Sequence, residues 1–127
     1  FKSFFSFLYT STNQHGIHSP FVYDLTTKCF YANQKKYITQ INKIKDYRNS
    51  LLKNNQSIEV TDFGAGSRVF KSNNRKIPDI AKNAGISKKR AELLIKGVQY
   101  FNPNHILEIG TSLGIGTASL CLGNPNS

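Results

Sequence analysis

A glycine-rich turn holds the residues whose types and spacing are best suited to ligand chemistry. A short apolar run ends at an acid, and three glycines follow it: Glu108, then Gly110, Gly114 and Gly116. Small residues continue from there to Leu122, which is typical of the start of a helix. A strand, a tight turn and a helix in this order place a backbone loop against a nucleotide-like ligand.

Each glycine of this turn has a physical role in such a site. Gly110 allows the chain to turn sharply and allows a ligand to approach the backbone. Gly114 and Gly116 allow the following helix to pack closely and to expose its first N–H groups. Glu108, at the carboxyl end of the predicted strand, either orders the turn or accepts hydrogen bonds from ligand groups.

Residues 106–117 resemble motif I of class I S-adenosylmethionine-dependent methyltransferases, and especially the small-molecule O-methyltransferase branch. The preceding order of helix, Asn-Pro turn and strand is also similar. The resemblance implies a Rossmann-like α/β fold, S-adenosylmethionine as the cofactor and a small molecule as the methyl acceptor, but it identifies no catalytic residue. It implies cofactor contacts for six loop residues: Glu108, Gly110, Thr111, Ser112, Gly114 and Gly116.

The same resemblance implies that the printed sequence is an N-terminal fragment. In such methyltransferases a second acid binds the ribose hydroxyls of the cofactor, and by analogy with dinucleotide folds it should lie about 20 residues beyond the loop. The sequence also contains no methionine, even at position 1. We therefore expect a truncated fold that does not by itself catalyse methyl transfer.

Three parts of the chain are predicted from its hydrophobic pattern. Residues 1–57 are predicted to form a helical N-terminal region. Residues 58–104 are predicted to hold a small β-hairpin and a helix pair. Residues 105–127 are predicted to begin a Rossmann-like cofactor-binding domain, which is incomplete.

Local signals predict the elements inside these parts. Ser19 and Pro20 are typical of a helix start, and an amphipathic helix is predicted over 35–53. A strand is predicted over residues 58–63, with a short returning strand at residues 69 and 70. Residues 105–109 are predicted to be a buried strand, whose exposed edges would favour self-association of the fragment.

A second acid precedes a Gly-x-Gly sequence at residues 62–67. No apolar helix follows it, so the strand–turn–helix context fails. We interpret this segment as a hairpin turn, with a contribution to a substrate or cofactor pocket as the alternative.

The main rival hypothesis is a helix-turn-helix DNA-binding module at residues 77–97. Small residues stand where that motif needs them, at Ala81, Gly85 and Ala91. The cations of residues 88–90 would then begin the recognition helix, whose first residues contact bases and phosphates. Against this hypothesis, the segment leads directly into a predicted buried strand and a glycine loop, which such a module does not need.

The strongly positive net charge of the chain is compatible with nucleic acid as a partner. The chain has 17 Lys and Arg against 7 Asp and Glu, a net charge of +10. Nine of the basic residues lie in the segment 68–96. Such a stretch attracts phosphates, or it is simply a solvated helix face.

Other classes of site receive little support from composition. Cys29 and Cys121 are far apart, which argues against a disulfide framework and favours a cytoplasmic protein. His15 and His18 share a turn without a clear third ligand, so we expect no metal site. No apolar run is long enough to span a membrane, and we expect no membrane partner.

Overall fold

The computed structural model describes residues 2–11, 13–61 and 69–124 of the 127-residue chain. Within these residues the chain is mainly helical, with one small antiparallel sheet of two strands. The first half contains three helices and the first strand, which are α1 (Lys2–Thr10), α2 (Pro20–Asp24), α3 (Ile38–Lys53) and β1 (Ser57–Glu59). The second half contains β2 (Asn74–Lys76), α4 (Ile77–Asn83), α5 (Lys88–Phe101) and α6 (Ile115–Gly123). None of the described helices is both long enough and apolar enough to cross a lipid bilayer.

Helix ends follow the capping signals in the sequence. The Ser19 side chain accepts a hydrogen bond from the Val22 backbone N–H and caps the start of α2. The Ser87 side chain accepts one from the Arg90 backbone N–H and caps the start of α5. Asn102 ends α5 in the left-handed conformation, with its N–H donating to the Val98 carbonyl at 2.8 Å. The helix start predicted at Ser19 and Pro20 is confirmed.

The helix predicted to follow Pro20 changes its winding after Asp24. Leu25–Phe30 forms a wider π-helical turn. The hydroxyls of Thr26 and Thr27 donate to the carbonyls four residues earlier, each at 2.8 Å. Because these hydroxyls compete with backbone N–H groups for the same acceptors, they favour this local change of pitch.

The core lies where α3, α5 and α6 meet. Its buried members are Tyr37, Ile41, Ile44, Ala91, Ile95 and Ile115. Gly123, one of the small buried residues of α6, allows this helix to approach Val98 and Ile95 of α5 closely. The amphipathic pattern of α3 is confirmed at Ile41 and Ile44, although Ile38 is half exposed.

The strand predicted to start at Ile58 is found at Ser57–Glu59, whereas the returning strand is wrong in position. Ser57–Glu59 pairs with Asn74–Lys76, so the returning strand does not lie at Val69 and Phe70. The residues 62–67, which we interpret as a hairpin turn, fall outside the described part of the chain. The strand β2 has a polar sequence, and its backbone pairing with β1 determines its conformation despite its low intrinsic β-propensity.

The buried strand predicted over 105–109 is also wrong. This segment forms no ladder, and Leu107 and Ile109 are 85% and 89% exposed. An apolar run becomes a strand only where a neighbouring strand satisfies its N–H and C=O groups. The sheet in the described residues contains β1 and β2, which pair with each other and not with this segment.

Candidate cofactor site

The glycine loop between α5 and α6 is shaped by three residues with positive φ. These are Gly110 at 87°, Ser112 at 51° and Gly114 at 73°. Glycine adopts this conformation freely, whereas Ser112 adopts it at a cost of about 1–2 kcal/mol. The Gly114 N–H donates to the Thr111 carbonyl at 2.9 Å and closes the turn directly before α6.

The Glu108 carboxylate anchors the loop to the first turn of α6. One of its oxygens accepts a hydrogen bond from the Thr117 hydroxyl. The other lies so close to Gly116 that a Cβ at this position would collide with it. A negative charge beside the N-terminal turn of a helix is favourable because it opposes the helix dipole. Of the two roles predicted for Glu108, the structure shows the ordering of the turn.

The start of α6 faces the loop without a capping side chain. Gly114 is its N-cap residue, and it offers no oxygen to the first amides of the helix. Its own carbonyl accepts from the Ala118 N–H at 2.9 Å. A helix start of this kind presents N–H groups and a positive partial charge to a polar or anionic ligand group.

A cleft of about 610 Å³ opens beside the loop, between it, the β1–β2 hairpin and α4. The loop contributes Gly110, Ser112 and Leu113 to its wall, and the hairpin and α4 contribute Thr61, Arg75 and Ile80. A cavity of this volume is large enough for a small-molecule cofactor. Apart from its chain neighbours, no atom of the described residues lies within 4 Å of the position that a Cβ on Gly110 would occupy, so these residues leave room for a ligand to approach the backbone there.

Two residues that position the site were not predicted from the sequence. The Tyr47 hydroxyl on α3 donates to the Leu113 carbonyl at 2.8 Å and so holds the loop from the α3 side. Arg75 brings a guanidinium to the cleft, with its Nε donating to the Ser72 carbonyl at 3.1 Å. No local pattern connects Tyr47 with a loop 66 residues later, so sequence alone gave no signal for it.

All six residues implied by the resemblance lie in this one loop and the first turn of α6. Glu108, Gly114 and Gly116 are half-buried or buried, while Gly110, Thr111 and Ser112 are exposed. Among the described residues, no group of three or more His, Cys, Asp or Glu side chains could hold a metal ion.

The rival helix-turn-helix segment forms two helices, α4 and α5, joined by a short turn. Lys88, Lys89 and Arg90 are exposed at the start of α5. However, α4 packs mainly on α3 and makes little direct contact with α5. A recognition helix is normally supported by packing against the preceding helix. The spacing of the motif is therefore present, but its usual packing is not.

Comparisons with known proteins add no relative to this description. No protein-family model, curated protein or solved structure matches the chain.

Proposed function

We propose that the glycine loop is the cofactor-binding loop of a class I S-adenosylmethionine-dependent methyltransferase, and that this loop and α6 are the loop–helix unit of its Rossmann-like domain. The observation that carries the proposal is the anchoring of Glu108 on the first turn of α6. This contact leaves the loop backbone open to a cleft of cofactor size.

The residues present fit such a cofactor. Open space above Gly110, an uncapped α6 start and an adjacent cleft together form a backbone cradle. Gly110, Thr111 and Ser112 would supply backbone contacts. Gly114 and Gly116 would keep the helix start accessible, and Glu108 would hold the turn in shape.

The exposed side of residues 105–109 also supports the proposal. Ile106 and Glu108 line a small hollow with Thr117 and Leu120 of α6. The alternate residues, Leu107 and Ile109, point outward. In a doubly wound sheet both faces of a central strand are covered. Residues 105–109 are not a strand in the described part of the chain, and Leu107 and Ile109 are the side chains that a second helical layer would cover if this segment were paired in such a sheet.

The chemistry would be transfer of a methyl group to a small-molecule nucleophile. Bound S-adenosylmethionine supplies an electrophilic methyl group on a sulfonium sulfur. The task of this chain is to hold the cofactor so that an acceptor reaches the methyl carbon in line with the breaking bond. None of the described residues is assigned as a general base.

Calorimetric titration with S-adenosylhomocysteine tests the proposal. We expect saturable binding to the chain, weakened about tenfold in Glu108→Gln, because loss of the charge-assisted contact loosens the loop by about 1.4 kcal/mol. Glu59→Gln is the matched control, since Glu59 is an exposed acid on β1 and outside the loop. Equal affinities of both variants, or no binding to the unmodified chain, would contradict the proposal.

DNA binding is the second candidate, favoured by one observation. The first turn of α5 holds exposed cations and no acid. Contacts from these cations to phosphates would give affinity for duplex DNA that falls steeply as salt rises. Salt-dependent binding of duplex DNA, together with no binding of S-adenosylhomocysteine, would favour the helix-turn-helix hypothesis.

A further inference from the structure

We propose that a second cleft, between the π-helical turn Leu25–Phe30 and the start of α5, binds a small organic anion that carries a carboxylate or phosphate on an apolar group. The cleft measures about 330 Å³. Its lining includes three cationic side chains, Lys89, Arg90 and Lys96, together with the apolar Phe30 and Leu93 and the acid Glu92. Among the residues that the structure describes, it shares no lining residue with the cleft beside the glycine loop, so the inference is independent of the proposed cofactor site.

Lys96 is the central observation. This side chain is only 5% exposed. Its ammonium donates to the Ala32 carbonyl at 3.1 Å and lies 5.9 Å from the centre of the Tyr37 ring. Within the described residues it forms no ion pair. A buried ammonium is normally compensated by a counter-ion because its desolvation is costly, and an anion in the cleft would provide one.

The acid nearest in the same cleft is already engaged. The Glu92 carboxylate accepts from the Gln34 amide at 2.9 Å and pairs with Lys88 at 3.8 Å. It therefore has partners other than Lys96. Gln34 begins a 3₁₀ turn, Gln34–Tyr37, that directly precedes α3, and Glu92 lies on α5. The hydrogen bond between them holds these two elements together and fixes one wall of the cleft.

The positive charges at the cleft mouth destabilise α5, the helix that carries them. Lys89 and Arg90 stand in the first turn of α5, where the helix dipole is positive. With no acid in that turn, the dipole and the side chains add to one positive potential. Such a potential is unfavourable for the isolated helix and favourable for an anion held between Arg90 and Lys96.

The apolar wall selects an organic anion over a free inorganic one. Phe30 and Leu93 provide carbon surface beside the cations. Cys29 also lines the cleft and is fully buried, and burial raises the pKa of its thiol although Lys96 acts in the opposite direction, which favours the neutral thiol. A ligand with one anionic group and one ring or acyl group satisfies both parts of the wall.

Phenyl phosphate is the first probe, titrated into the ¹⁵N-labelled chain at physiological salt and followed by amide shifts. We expect saturable shifts at Cys29 and Leu93, at least tenfold weaker affinity in Lys96→Met and several-fold weaker affinity in Arg90→Gln. Lys82→Gln removes an equal charge from an exposed site on α4 and should bind as the unmodified chain does. Circular dichroism checks that each variant is folded. If Lys96→Met does not fold, the affinity of Arg90→Gln for phenyl phosphate tests the proposal instead.

Two comparison ligands show which anionic group the cleft prefers and whether its apolar wall contributes to binding. Benzoate binding as tightly as phenyl phosphate would identify a carboxylate site, and weaker benzoate binding would identify a phosphate site; either supports the proposal. Inorganic phosphate binding as well as both would overturn it, since the apolar wall would have no role. Equal losses in Arg90→Gln and Lys82→Gln, or shifts that do not saturate, would also overturn it by showing only diffuse charge attraction.

Discussion

Replacing Ile95 with alanine is expected to lower the free energy of unfolding by about 2–5 kcal/mol. Ile95 is fully buried on α5, in the cluster where α3 and α6 meet this helix. Truncation removes apolar contacts and leaves a cavity that the surrounding helices fill only in part. Urea denaturation followed by circular dichroism measures the change, provided that the m-value stays constant.

Leu107→Ala is the matched control for this experiment. Leu107 is 85% exposed, so its truncation should change the free energy of unfolding by no more than about 0.5 kcal/mol. Similar losses for both variants would mean that residues 105–109 are buried, as the sequence pattern predicts, and would contradict the observed fold.

Gly123→Ala is expected to lower the free energy of unfolding by about 1–3 kcal/mol. A Cβ at Gly123 would come within 2.7 Å of the Val98 Cβ and 3.0 Å of the Ile95 carbonyl oxygen. The carbonyl belongs to the backbone of α5, so α6 would have to move away from it. Thermal and urea unfolding of the variant measure the loss.

Gly97→Ala provides a control with the opposite sign. Outside the neighbouring backbone of α5 itself, no atom of the described residues lies within 4 Å of the Cβ position at Gly97, which is inside α5. Alanine there should raise the free energy of unfolding by about 0.5–1 kcal/mol, because it restricts the unfolded chain and favours the helix. If both glycine variants were stabilising, the close approach of α5 and α6 would be disproved.

Elements with local signals could be predicted from the sequence. Ser19, Ser87 and Asn102 mark helix ends because capping involves groups only a few residues apart. Pairing partners are not local. The polar strand Asn74–Lys76 has no β signal of its own, and it forms because β1 lies beside it. The apolar run at 105–109 has a strong strand signal but no partner strand in the described part of the chain.

The candidate site divides in the same way. The positive φ of Gly110 and Gly114 follows from the spacing of the turn, since glycine is the residue that adopts it freely. The contact of Tyr47 with Leu113 joins segments far apart in the chain and has no local signature. Lys96 and Glu92 lie in a basic segment that is typical of a solvated helix face, yet both are buried. Burial of a charge depends on tertiary packing, which the charge pattern does not reveal.

The proposed cofactor loop is tested most directly by amide-resolved NMR during a titration with S-adenosylhomocysteine. If the loop binds the cofactor, saturable shifts should be concentrated at residues 110–117, and the Thr117 hydroxyl should keep its contact with Glu108. Amides of α5 near Arg90 should change little, because they line the other cleft. Absence of any saturable shift at residues 110–117 in the folded chain would contradict the central claim that this loop binds the cofactor.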